Sequence, residues 1–126
     1  MEDNDQRWPS AWVRAGLDLA ILSALQGDAL HGYAIASRLE AAGLGRPKGG
    51  SLYPTLAKLE QAGFVEAGWL PGESGPGRKA YILTTSGREE RTRLAASWRA
   101  LSEALGALGS SGQPAGTQAQ GEGVGR

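Results

Sequence analysis

The chain has no cysteine, one histidine, one methionine and one phenylalanine among its 126 residues. Without cysteine there is no disulfide framework, no Fe–S cluster and no thiol nucleophile. A single imidazole, His31, excludes most zinc sites and leaves no second histidine to complete a catalytic triad. No nucleophile elbow surrounds any serine, and Glu89 and Glu90, adjacent on a helix, diverge too far to act as an acid/base pair. No enzymatic activity, metal or cofactor is expected. Long apolar runs are absent too, none approaching the ~18 residues of a membrane span. The start, with Glu2, Asp3 and Asp5, lacks the basic n-region of a signal peptide. A cytoplasmic protein without a membrane partner is expected. Net charge is missing as well: 13 Lys and Arg balance 13 Asp and Glu. Binding of nucleic acid by bulk charge is thereby excluded, and any such binding needs a local patch.

Glycine is abundant, at 20 residues with 6 prolines, and six of the glycines fall in the last 18 residues. From Gly109 to Arg126 the only bulky apolar residue is Val124. This stretch cannot bury enough surface to offset its ordering entropy, and a disordered tail over 109–126 is expected. Residues 1–7 read as a flexible lead-in.

Between these ends the hydrophobic period changes in an informative order. Leu17, Ile21, Ala24 and Leu25 share one helix face, stopped by Gly27. Tyr33, Ile35, Ala36, Leu39 and Ala42 predict a second helix, stopped by Gly43. After a Gly/Pro/Lys loop, Leu52, Leu56 and Leu59 fall at i, i+4 and i+7 of a third helix that ends at Gly63. Pro54 is expected in its first turn, where a missing N–H has no helical partner. The runs 64–70 and 79–84 then read as two strands around a mobile tip, Pro71 to Gly77. Thr84 or Thr85 caps a last helix carrying Leu94, Trp98, Leu101, Leu105 and Leu108, spaced 4, 3, 4, 3 as an a/d seam. The order predicts a mainly α (α+β) fold, a winged helix-turn-helix over 8–84 followed by a dimerisation helix over 85–108.

Short motifs sharpen this. His31-Gly32-Tyr33-Ala34-Ile35, then Gly50 to Leu56 (GSLYPTL), Leu59-Glu60, Gly63-Phe64-Val65, and Gly77 to Thr84 (GRKAYILT) followed by Gly87, resemble PadR-family transcriptional regulators. The likeness spans roughly Leu17 to Leu108, with the blocks correctly spaced. It departs at Ala80, where the family commonly has tyrosine, and in its single short C-terminal helix, which looks like the compact subgroup. The resemblance implies a homodimeric repressor bound to double-stranded operator DNA, its last helix forming the dimer.

The residues suggest how. A recognition helix needs polar or small residues toward base edges and phosphates and apolar residues behind. In the third helix Ser51, Tyr53, Thr55 and Lys58 are available in front; Lys48 precedes it, and Gly50 permits close approach of a phosphate to the backbone. Ser51 and Tyr53 match positions at the family's DNA surface; the alternative for Tyr53 is a ring packed in the core with only its hydroxyl exposed. Arg78 and Lys79 mark the wing, where arginine in a narrow groove reads shape. From Arg38 to Arg93 nine basic residues face six acidic ones, so a basic side on a neutral protein is feasible. The dimer interface is expected from Trp12, Leu94, Trp98, Leu101, Leu105 and Leu108, with Trp8 also packing over the dimer helices and Trp69 covering the base of the wing. Trp98 has a second role implied by the compact subgroup, stacking a small aromatic effector against its symmetry mate. His31 is expected to cap or pack a helix start. The runner-up function is a winged-helix module that binds protein rather than DNA.

Overall fold

A computed structural model describes residues 7–70 and 78–110. The expected N-terminal lead-in (apart from Arg7), the wing tip from Pro71 to Gly77 and all of the tail beyond Ser110 lie outside the described residues. Eight elements follow one another: α1 (Ser10–Ala15), α2 (Leu17–Ala24), β1 (Leu30–His31), α3 (Gly32–Ala41), α4 (Gly49–Gln61), β2 (Val65–Leu70), β3 (Arg78–Leu83) and α5 (Thr85–Ser110). The strands form one antiparallel sheet in the order β1-β3-β2. This is a helix-rich fold with a small β wing, as the periodicity predicts.

The core is built mostly by the predicted apolar positions, with Leu22 joining them and Ala24 only half-buried. Leu17, Ile21, Leu22 and Leu25 from the α2 segment meet Ile35, Ala36 and Leu39 of α3 and Leu52, Leu56 and Leu59 of α4, all buried. Val65, Tyr81 and Leu83 close it from the sheet. Strand alternation explains the selection, since Val65 pairs with Leu83 and Ala67 with Tyr81 on the face turned to the helices. The next pair on that face, Trp69 and Lys79, lies farther toward the tip. Trp69 is consequently 72% exposed and does not cover the wing base as expected.

Two helix ends use the same device. Gly43 and Gly63 hold φ of 89° and 84°, the left-handed region open to glycine. Leu44 N–H donates to the Leu39 carbonyl and Phe64 N–H to the Leu59 carbonyl, both at 3.0 Å, which closes Schellman motifs after α3 and α4. At the start of α5 the Gly87 N–H donates to Thr84 Oγ1 at 3.0 Å, so Thr84 is the cap. Thr84 and Ser86 hydroxyls both donate to the Gly63 carbonyl, at 2.6 and 3.0 Å. A Cβ at Gly87 would collide with the Phe64 carbonyl oxygen, so this turn packs directly on backbone.

Three expectations change. Pro54 is the sixth residue of α4, in the second turn, because the helix already begins at Gly49. It removes the bond that would end on the Gly50 carbonyl, at a surface where both residues are exposed to water. Tyr33 does not join the core: it lies about 200° around α3 from Ile35, at ~100° per residue, and is 68% exposed. Ala42 falls just past the end of α3 and is likewise exposed.

The chain divides into two compact units after Thr92, within α5. In the second, Leu94 and Trp98 are half-buried, whereas Leu101, Leu105 and Leu108 are exposed.

Candidate nucleic-acid interface

Leu52, Leu56 and Leu59 fix which way α4 faces. With each residue turning ~100°, the opposite side is the line Gly50, Pro54, Ala57 and Gln61, all exposed. The helix presents outward three small or compact residues and one amide, a profile that admits close approach of a large rigid surface. Ser51, Tyr53, Thr55 and Lys58, placed in front by sequence, are distributed to two flanks.

On the wing flank, Tyr53 lies across Gly32. A Cβ on Gly32 would stand 2.7 Å from Tyr53 Cε1 and Cζ and closer still to the hydroxyl. Gly32 therefore provides the seat for the ring, which keeps 51% of the residue exposed. Beside it opens a groove of about 450 Å³ lined by His31, Gly32, Tyr33, Tyr53, Lys79 and Tyr81. Lys79 Nζ stands 3.8 Å from Glu60 Oε1 and 5.8 Å from the Tyr81 ring centre. Burial, reinforced by the Glu60 carboxylate and then by Tyr53, pushes the Tyr81 phenol above its ordinary value of 10.0, so it remains a protonated donor. His31 is the N-cap of α3, its Nδ1 accepting from Ala34 N–H at 3.3 Å, as expected of a structural cap.

Across the helix, Lys58 donates to both Asp18 carboxylate oxygens, at 2.9 and 2.8 Å. Thr55 Oγ1 donates to the Ser51 carbonyl at 2.8 Å. Lys48 is the exposed N-cap of α4 and makes no side-chain cap bond; space around Gly50 is open. Arg78 opens β3 opposite Leu70, and its side chain lies outside the described residues.

The structure thus brings Tyr53 and Lys79 together, sets Ser51, Thr55 and Lys58 on the other side, and adds Tyr33, His31 and Gln61. Tyr33 was hidden by its apolar neighbours in sequence. Its distance from the Ile35 face is the signal that marks it as a surface residue.

Residues 21–93, more than half of the sequence, match the transcriptional regulator PadR-like family. The chain belongs to that family. Several PadR-like structures resemble it over most of its length. A PadR-like transcription factor from Bacteroides fragilis is 29% identical, covering 79% of this chain and 95% of its own, with a TM-score of 0.67. A PadR-family regulator from Eggerthella lenta is 28% identical, covering 79% and 86%, with a TM-score of 0.72. The Bacillus subtilis PadR solved in complex with operator DNA is 31% identical over 63% of this chain and 45% of its own, with a TM-score of 0.58. No curated protein matches. As a PadR-like regulator, the chain carries the family's blocks on α3, α4 and the hairpin, the elements that meet in the tyrosine-lined groove.

Proposed function

We propose that this PadR-like chain is a homodimeric repressor that acts in the cytoplasm by occupying double-stranded operator DNA. The observation that carries the reading is α4, anchored by three buried leucines and clear on its outer line, beside a wing bearing Lys79, in a family with a member solved on operator DNA. Gly50, Ser51, Tyr53 and Thr55 contact the duplex from α4, with Lys48 and Lys58 supplying phosphate contacts at its edge. Arg78 and Lys79 contact the backbone and a narrow groove from the wing. Tyr53, half exposed and seated on Gly32, offers both a ring edge and a hydroxyl to a phosphate or sugar.

Dimerisation uses α5. Leu101, Leu105 and Leu108 are 48%, 61% and 75% exposed in the single chain, and Trp12 is 62% exposed. An a/d seam left open to water is the surface that a second copy covers. Leu94 and Trp98 continue the same seam, and a flat aromatic effector stacks between the two Trp98 indoles. Such a compound releases DNA only by binding the DNA-incompetent dimer more tightly.

Incubation of the purified protein with fragmented genomic DNA, followed by sequencing of the retained fragments, tests the reading. Enrichment of a shared palindromic element with half-sites about one helical turn, ~34–36 Å, apart is expected. Absence of any retention at low salt refutes it and favours protein partners. Planar dyes should quench tryptophan fluorescence in the wild type and lose this effect in Trp98→Leu; unchanged quenching in that variant rejects the effector site.

A further inference from the structure

A second groove, of about 330 Å³, lies between α1 and the loop joining α3 to α4, apart from the tyrosine-lined one. Val13, Leu17 and Leu44 line it together with Arg14, Arg46 and Lys48, and among the described residues no acidic side chain does. The cations of the described body differ in what already holds them. Arg38 is paired with Asp28, Arg46 with Glu40 and Lys58 with Asp18, all within 2.9 Å, and Lys79 with Glu60 at 3.8 Å. Among the described residues, Arg14 and Lys48 enter no ion pair and no hydrogen bond through their side chains, and both are exposed. Two cations with no carboxylate partner among the described residues therefore line this groove.

That distinction matters for an anion. A phosphate approaching Lys58 must compete with a carboxylate held by two hydrogen bonds, whereas one approaching Arg14 or Lys48 displaces only water. Arginine adds a planar fork that can hold two phosphate oxygens at once. The groove is about ten times a water's share of liquid volume, about 30 Å³, which leaves room for a phosphate group.

From this we infer that Arg14 and Lys48 form a clamp for a backbone phosphate of the bound DNA. The clamp extends the interface from the recognition helix onto α1, a segment that the sequence assigned to dimerisation alone. It rests on the DNA-binding reading above and redistributes its charge contacts, with Arg14 entering and Lys58 held in reserve by Asp18.

The test is anisotropy of a labelled duplex titrated with the full-length protein at several chloride concentrations. A phosphate contact contributes about −0.9 to the slope of log K against log salt, equivalent to about eightfold in affinity at 0.1 M relative to 1 M. Arg14→Gln and Lys48→Gln should each flatten the slope by about that amount, while Arg14→Lys, which keeps the charge, restores it. Lys58→Gln should flatten it by less than half as much. Melting temperatures should be unchanged in Arg14→Gln and Lys48→Gln, since both side chains are exposed. If the wild type binds no duplex, the DNA-binding reading fails and the clamp with it. If the wild type binds and neither Gln variant alters the slope, the clamp alone is overturned. Replacing chloride by inorganic phosphate at constant ionic strength separates the two sources of the anion. Weakening by phosphate that is lost in Arg14→Gln, with an unaltered slope in that variant, assigns the groove to a free anion and also overturns the proposal.

Discussion

Gly32→Ala isolates the contact that seats Tyr53. The added Cβ would overlap Tyr53 Cε1 and Cζ at 2.7 Å, so the half-exposed ring must swing off α3 rather than compress the core. A tyrosine of ordinary size with half its surface covered buries on the order of 100 Å², which at ~25 cal/mol per Å² is worth about 2.5 kcal/mol as an upper bound. Alanine is favoured over glycine within a helix by up to ~1 kcal/mol, which offsets part of the loss at the first residue of α3. A net destabilisation of about 1–2 kcal/mol follows, measured by urea denaturation at fixed protein concentration. The ring's displacement should also reproduce the loss of DNA affinity caused by Tyr53→Ala, on the order of 1–3 kcal/mol. The decisive comparison is a double-mutant cycle. In a Tyr53→Ala background the three atoms nearest the added Cβ are gone, so Gly32→Ala should become neutral or slightly stabilising there. An equal cost of Gly32→Ala in both backgrounds would refute the seating argument.

Leu101→Asp combined with Leu105→Asp should yield a monomer or an unfolded chain with greatly weakened DNA affinity, and a well-folded dimer in sedimentation would remove α5 from the interface. Gly87→Ala should lower stability by on the order of 2 kcal/mol, because its Cβ meets the Phe64 carbonyl rather than a yielding side chain; an unchanged melting temperature contradicts the packing. The raised pKa of Tyr81 means that the folded state holds its proton more firmly than the unfolded chain. Its contribution to stability is complete below pH ~10 and lost as pH climbs through the higher folded value. Tyr81→Phe should lose less stability than the wild type between pH 9 and pH ~11 in denaturation curves, and equal losses would exclude Tyr81 as the cause.

What the sequence disclosed depended on whether an element carried a repeating apolar face. The leucines of α4 and the stop glycines at 43 and 63 are local patterns present as read, and of the two threonines offered as a cap the structure uses Thr84. α1 has no buried residue, and so no period to detect. β1 is two residues long, too short for alternation, and exists because Leu30 and His31 find partners in Tyr81 and Ala80. For the candidate interface the sequence offers a set of residues, not their arrangement. Lys58 and Asp18 are 40 positions apart, and no spacing rule reveals that one neutralises the other. The fit of Tyr53 to Gly32 is equally a property of two elements meeting.

One side chain governs how much order α4 inherits from its approach loop. Arg46 stacks over Tyr33 at 4.5 Å, donates to Glu40 at 2.9 Å and to the Ser37 hydroxyl at 3.2 Å, and all three partners belong to α3. The loop that delivers Lys48 and Gly49 is thus held before any ligand arrives, and association need not supply that order. Freezing a single backbone residue costs about 1–2 kcal/mol of conformational entropy, roughly a tenfold change in affinity. For a regulator whose occupancy is set by concentration, the Arg46 latch converts folding order into promoter response: releasing it leaves the outer line of α4 intact and raises the protein concentration needed for half-occupancy.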